Sequence, residues 1–312
     1  MEKELTIIIP VFNEEKILQE LYQRLTDSAQ QVTQNYELIF VNDGSKDNSL
    51  AQLISLAEQD SHVFYINFSR NFGHQIAVTA GLQNSTGKAV VIIDGDLQDP
   101  PELIPELYKK YLEGYKIVGA KRVSRKGETF FKKFTAKAYY RILKRITNVD
   151  IPVDTGDFRI IDRKVVNAIN AMDEPDKYIR GQVAWTGFKT TFVDFERDER
   201  RFGTTGYSFK KMTKFAMDGI TSFSNYPLKI ASIFGFIVSG IAFLLVIYVL
   251  LSKYVFHNAI DGWPSLMLTI LFIGGVQLIC LGIIGEYLWR IMNNVRNRPL
   301  YVVDETNIEN QK

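Results

Sequence analysis

Two carboxylates, Asp94 and Asp96, stand one residue apart just after the apolar run of residues 88–93, KAVVII. Core packing gives no reason for such a pair at that place. A divalent cation such as Mg²⁺ or Mn²⁺ takes oxygen ligands, can bridge to a diphosphate, and neutralises charge building on a leaving phosphate. Polar residues follow other apolar runs as well: Asn13 and Glu14 after residues 5–11, Asp43 after 36–41, and Ser69, Arg70 and Asn71 after 63–68. Zinc chemistry has no support, since Cys280 is the only cysteine, no Cys/His zinc spacing occurs, and His62 and His257 have no metal-ligand partners. His74 opens a helical stretch in NFGHQIAVTAG, where capping or packing serves at least as well as catalysis.

The elements that must position these groups can be read from periodicity. Strands are expected over residues 5–11, 36–41, 63–68, 88–93 and 116–120, and helices over 14–30, 47–59, 73–84 and 101–113. Strands alternating with helices predict an α/β fold with a mainly parallel, doubly wound sheet. Ligands of such sheets gather beyond the carboxyl ends of the strands, where Glu14, Asp43, Arg70, Asp94 and Asp96 fall. No GxGxxG and no GxxxxGK[ST] occurs, so dinucleotide-binding and P-loop readings fail.

The chain has 312 residues, 46% of them hydrophobic, with 21 Gly and 9 Pro, which excludes a disordered or fibrous protein. A single cysteine excludes a disulfide scaffold. The start, MEKELTIIIPVFNEE, lacks the pattern of a signal peptide. Formal net charge is +2, yet residues 121–145 carry ten Lys/Arg against one Glu, which points to an anionic partner at one place. Within that block Phe131, Phe134, Ala138, Ile142 and Ile146 form an apolar stripe among lysines and arginines. Such a helix either lies on an anionic bilayer face or packs on its own domain. A second stripe, Phe209, Met212, Phe215 or Ala216, Ile220 and Phe223, precedes Pro227 and reads as an interfacial helix.

Residues 230–251 and 263–285 are runs of 22 and 23 residues without a charge, each long enough to cross a bilayer core of roughly 30 Å. Their glycines, among them Gly235, Gly240, Gly274 and Gly282, fit close helix packing in lipid. Lysines before the first run and arginines after the second predict that both ends are cytoplasmic. The expected organisation is a catalytic domain over 1–207, a juxtamembrane amphipathic helix over 208–229, a two-helix anchor over 230–290 and a cytoplasmic tail over 291–312. With spans adjacent, the bilayer is a simpler partner for the basic-aromatic block than nucleic acid, and no nucleic-acid partner is expected.

The segments IIIPVFNEE, FVNDGSKD, NFSRNFGHQIAVTAGL, IDGDLQDPPE, TGDFRIIDRKV and LGIIGEYLWRI occur in this order. With the paired spans, they make the chain resemble the polyprenyl-phosphate glycosyltransferases of glycosyltransferase family 2, the dolichol-phosphate-mannose-synthase-like branch. The likeness covers roughly residues 5 to 303 and is greatest to bactoprenol-phosphate glucosyltransferases. It implies a GT-A fold with a Rossmann-like mixed sheet, a nucleotide-diphospho-sugar donor and a divalent metal, Mg²⁺ or Mn²⁺.

The resemblance also assigns roles. Pro10, Phe12, Glu14 and Asp43 match positions around the base and ribose, although Glu14 could instead cap a helix and Asp43 make a turn. Asp94 matches the first carboxylate of the DxD pair, near nucleotide and sugar; Asp96 matches the metal-binding one, and Gln98 a further metal ligand. Asp99 could be only a helix cap. Asp157 resembles the acceptor-side carboxylate and could orient donor or acceptor or act as a base. Arg122 matches a phosphate-contacting arginine, and Arg125 and Arg200 are further phosphate-binding candidates. In the loop over residues 200–207, Gly206 stands where the family usually has lysine, a contact that Lys210 or Lys211 could supply.

The reaction so implied is inverting transfer of a hexose, with UDP-glucose the first expected donor, to undecaprenyl phosphate at the cytoplasmic face of the bacterial inner membrane. Mannose, N-acetylglucosamine or an amino-arabinose derivative are the other sugars to test. A flippase would act downstream, and the glycine-bearing spans permit a homo-oligomer. A processive synthase should carry QxxRW, whereas residues 182–185 read QVAW. A non-catalytic membrane scaffold on the same fold is opposed by the intact DxD pair.

Overall fold

The computed structural model describes residues 3–122, 155–195, 226–254, 262–296 and 298–308. Arg125, Arg200, Gly206 and both amphipathic stripes lie outside the described residues. The described chain divides into two units, one built from residues 3–122, 155–195 and 298–308, the other from 226–254 and 262–296.

The first unit is an eight-stranded sheet in the order β7-β5-β6-β4-β1-β2-β3-β8. Its centre is parallel: β1 (Leu5–Val11) lies between β2 (Tyr36–Asn42) and β4 (Ala89–Ile92), with β3 (Val63–Phe68) beyond β2. All seven residues of β1 and all seven of β2 are buried, as strands covered on both faces require. Side chains alternate across β1. Ile7 and Ile9 meet Leu18, Leu21 and Leu25 of α1 (Leu18–Gln30), while Ile8 joins Val78 and Leu82 of α3 (His74–Asn84) on the other face. Helix α2 (Ser49–Gln59) adds Leu53 and Leu56 to the first of these layers.

Three strands depart from the sequence reading. β6 (Thr155–Asp162) inserts antiparallel between β4 and β5 (Ile117–Arg122), so the sheet is mixed. β7 (Thr190–Phe195) runs parallel to β5 at one edge. β8 (Val303–Thr306) comes from the segment expected as a tail and pairs antiparallel with β3 at the other edge. The helix expected over 101–113 is a 3-10 turn, Pro101–Leu103, followed by α4 (Ile104–Leu112), each with proline in its first turn. Helices α5 (Arg163–Asn170) and α6 (Ile179–Trp185) follow β6. The result is the mixed-sheet α/β architecture that the resemblance implies.

The second unit holds α7 (Tyr226–Tyr254) and α8 (Trp263–Arg296), which contain both long uncharged runs. Large apolar side chains stand exposed along them, including Phe236, Phe243, Leu244, Leu278 and Leu281. Among the described residues, one stretch, Phe272–Arg296 with mean hydropathy 1.6, has the length and composition of a span, where the sequence reading expects two. A Cβ on Gly235, Gly240, Gly274 or Gly282 would meet nothing within 4 Å among the described residues. The hydrogen bond from Cys280 Sγ to the Ala231 carbonyl, 3.6 Å, joins α8 to α7.

Candidate active site

Strand order reverses at β1, with β2 on one side and β4 on the other, so the crevice at the carboxyl ends of β1 and β4 is the switch point of the sheet. The two exits are close. A Cβ on Gly95 would come within 2.8 Å of the Pro10 carbonyl oxygen, which is why the residue between Asp94 and Asp96 has no side chain. Leu97 then adopts a left-handed φ of 56°, unusual for leucine, and its buried side chain anchors the loop in the core. The Gln98 amide donates to Asp96 Oδ1 at 3.1 Å, closing a tight turn around the second carboxylate.

The loop after β1 is laced to the loop after β2. Asn13 N donates to Ser45 Oγ (2.9 Å), Lys46 N to Asn13 Oδ1 (2.8 Å), and Asn48 N to Glu15 Oε2 (2.9 Å). Phe12 projects with 44% exposure. Pro10 is buried in β1, and the Glu14 carbonyl accepts from Ile17 and Leu18, starting the turn into α1. Asp43 is buried and takes the Phe72 amide at 2.6 Å and the Gly73 amide at 2.9 Å. Burial pushes its carboxyl up, against the pull of those amides, His74 and Arg70. Asp43 therefore latches the loop that leads into α3; a carboxylate with further lone pairs can still accept from a ligand.

That latch sets His74 at the start of α3. Its Nε2 lies 3.5 Å from Asp94 Oδ1 and 3.3 Å from Asp157 Oδ2, and the ligating atoms of the three residues fall within 4.8 Å of one another. Asp157, buried on β6, is gripped by Arg180 of α6 through Nε to Oδ1 (2.7 Å) and Nη2 to Oδ2 (3.1 Å). Burial opposes its charge, but Arg180 and His74 hold the carboxyl well below the usual carboxylate range. Asp94 goes the other way: burial, Asp157 and Asp96 raise it, against the attraction of His74. Burial draws the His74 imidazole down, yet the bond to Asp157 and the charge of Asp94 carry it up to about 9. In this arrangement the trio is an ion-pair cluster, and its three ligand atoms also lie close enough together to hold one cation once the imidazole gives up its proton.

The fit of a divalent cation rests on the DxD pair. Asp94 Oδ1 is a buried acceptor without a hydrogen bond, and its carboxyl is crowded by two others. A buried carboxylate oxygen that accepts no hydrogen bond, beside a second carboxylate, suits a hard cation. The carboxylate oxygens of Asp94 and Asp96 are donors of the kind that Mg²⁺ or Mn²⁺ takes.

Sequence reasoning undervalued His74 and passed over Gln75, Arg159 and Arg180. The signal for Arg180 was one cation beside apolar residues in YIRGQ; its contact with Asp157 depends on topology. Arg122 is largely buried, with Nη2 3.5 Å from the fully buried Asp99 and against Gly156, so here it braces the wall behind Asp157. Asp99 likewise is an ion-pair partner rather than a simple cap.

The profile of glycosyl transferase family 2 matches residues 6–169. The chain is 51% identical over 308 residues to the uncharacterized glycosyltransferase YkcC of Bacillus subtilis (strain 168), covering 98% of this chain and 95% of that one. It is 38% identical over 302 residues to the bactoprenol glucosyl transferase of Shigella phage SfII, covering 97% and 98%. A crystal structure of glucosyl-3-phosphoglycerate synthase from Mycobacterium tuberculosis with Mn²⁺ and UDP-glucose has a TM-score of 0.47 at 16% identity, covering 69% of this chain and 76% of that one. With its sheet carrying acidic groups at the switch point and its profile match spanning over half the chain, this protein belongs to glycosyltransferase family 2.

Proposed function

We propose that this protein is a membrane-bound, inverting glycosyltransferase that moves a hexose, glucose first, from a UDP-sugar to undecaprenyl phosphate at the cytoplasmic face. The observation that carries the reading is the convergence of Asp94, Asp157 and His74 within 4.8 Å at the switch point, from three elements far apart in sequence. The acceptor chemistry is supported by the relatives named bactoprenol glucosyl transferase. The bilayer is supported by the exposed apolar faces of α7 and α8, read as spans over 230–251 and 263–285.

A phosphate monoester has a second pKa of about 6, so the attacking oxygen is already mostly ionised at neutral pH and needs no strong base. Asp157, held ionised by Arg180, suits orientation and stabilisation of positive charge at the anomeric carbon better than proton removal. His74 and Arg180 bring cations to a place where two anionic substrates must meet. The lipid-phosphate oxygen bonds to the anomeric carbon from the face opposite the nucleotide; the carbon–oxygen bond to the diphosphate breaks and its electron pair leaves with UDP. Asp96, Gln98 and Asp94 would hold a divalent cation, which when bound neutralises charge on that diphosphate.

The test is transfer of label from radiolabelled UDP-glucose to undecaprenyl phosphate by the full chain in membranes, read in the organic extract. Labelled lipid is expected, and the Asp96→Asn variant, folded as judged by circular dichroism, is expected to lose transfer. No labelled lipid with UDP-glucose or any of the other sugar nucleotides refutes the reading.

A further inference from the structure

The reading above leaves open what sets the geometry of Asp157, and this inference rests on that reading. We propose that Arg180, docked by Gln75, is the positioning residue that fixes the plane of the Asp157 carboxylate at the switch point. The fork is side-on and two-pronged, 2.7 Å and 3.1 Å, so turning the carboxylate breaks both bonds together. Gln75 ties the fork to the scaffold. Its Oε1 accepts the Ile179 amide at 2.9 Å, and its Nε2 donates to Asp157 Oδ2 at 3.4 Å. The residue that fixes the first turn of α6 thus touches the carboxylate that the next residue of α6 grips.

The remaining contacts explain why a fork is needed. His74 bridges Asp157 and Asp94 at 3.3 and 3.5 Å. It attracts Asp157 toward a second carboxylate, and Arg180 pulls from the α6 side. Arg159 secures the backbone: Nε donates to the Asp157 carbonyl at 3.2 Å and Nη2 to the Gly156 carbonyl at 2.7 Å. Helix α6 packs through Ile179 and Val183, whereas the Arg180 side chain is partly exposed, so its guanidinium can be removed without opening the core. Lysine keeps the charge but cannot make the fork.

Three variants and two readouts test this. Arg180→Lys is expected to lower kcat about 10²-fold, the effect of misplacing a reacting group by about 1 Å. Donor KM and the thermal midpoint should stay unchanged. Arg180→Ala should lose transfer and regain part of it with added guanidinium, and Gln75→Leu should fall between Arg180→Lys and wild type. A structure of Arg180→Ala should show the Asp157 carboxylate rotated from its present plane. Wild-type kcat in Arg180→Lys, failure of guanidinium to rescue a folded Arg180→Ala, or an unmoved Asp157 in that structure overturns the proposal. The structural arm is independent of turnover. Failure of the functional reading would instead appear as a wild-type protein inactive with every donor.

Discussion

A histidine between two carboxylates is a charge arrangement with consequences that can be measured without substrate. The His74 imidazole is raised from 6.5 to about 9 despite burial, by its bond to Asp157 and the charge of Asp94. Its folded-state affinity for the proton exceeds the unfolded one. The stability it contributes is therefore whole below about pH 6.5 and is lost as pH rises through about 9. In the presence of a chelator, the gap in thermal midpoint between wild type and His74→Asn should narrow steadily across that window; a constant gap would contradict the ion-pair assignment. Asp94 carries the opposite sign. Its carboxyl is raised by burial and by Asp157 and Asp96, so its ionised form opposes folding at neutral pH. Asp94→Asn should raise the thermal midpoint in chelator and abolish transfer, the pattern of a group kept for function at the expense of stability. A lower midpoint would mean that Asp94 is a structural partner instead.

At the scale of elements, the site depends on how closely two loops approach. Gly44 has φ 65°, and a Cβ there would lie 2.4 Å from the Arg70 carbonyl carbon, which is backbone and cannot yield. Gly44→Ala should part the loops after β2 and β3, loosen the Asp43 latch on Phe72 and Gly73, and raise donor KM more than it lowers kcat; kinetics with varied UDP-sugar read this directly. Four of the five strands read from the sequence announce themselves as apolar runs followed within two residues by Asn, Asp or Ser, because strands buried on both faces need continuous Val, Ile and Leu. β6 hid for a chemical reason. Its sequence TGDFRIID puts Asp157 and Arg159 inside a buried strand, and that polarity, useful at the site, breaks the hydrophobic pattern that marks strands. β8 hid because all four residues are exposed and only pairing makes them a strand. The DxD pair was legible since its chemistry is local. The Arg180 fork was not, since a separation of 23 positions from Asp157 along the chain says nothing of distance.

For the whole molecule, the end of the chain completes the sheet that its start begins. After α8 the chain returns to β3, and Ser69 at the exit of β3 donates to the Val302 carbonyl at 3.0 Å. Tyr301 stacks on Phe68 with ring centroids 4.8 Å apart, and its hydroxyl reaches Gln83 at 2.9 Å. Asn307 mimics a further strand residue, accepting the Tyr65 amide at 2.8 Å and donating to the Val63 carbonyl at 3.1 Å. Glu305 accepts from the Tyr65 hydroxyl at 2.9 Å; burial and that carboxylate push the phenol up to about 12. Covering β3 in this way removes a row of open hydrogen-bonding groups that would otherwise recruit another chain. The strap touches the residues leading to Asn71, Phe72 and His74, but no reacting group. Its loss should therefore act on stability first. Tyr301→Ala should destabilise the sheet unit by about 1–3 kcal/mol, below the value for a fully buried aromatic because the residue is partly exposed. Hydrogen exchange at the Tyr65 amide should accelerate by the matching factor, while kcat per folded molecule stays at the wild-type value. Unchanged exchange at Tyr65 would show that β3 holds its edge without the strap, and a fall in kcat with stability intact would tie the C-terminal strand to the chemistry itself.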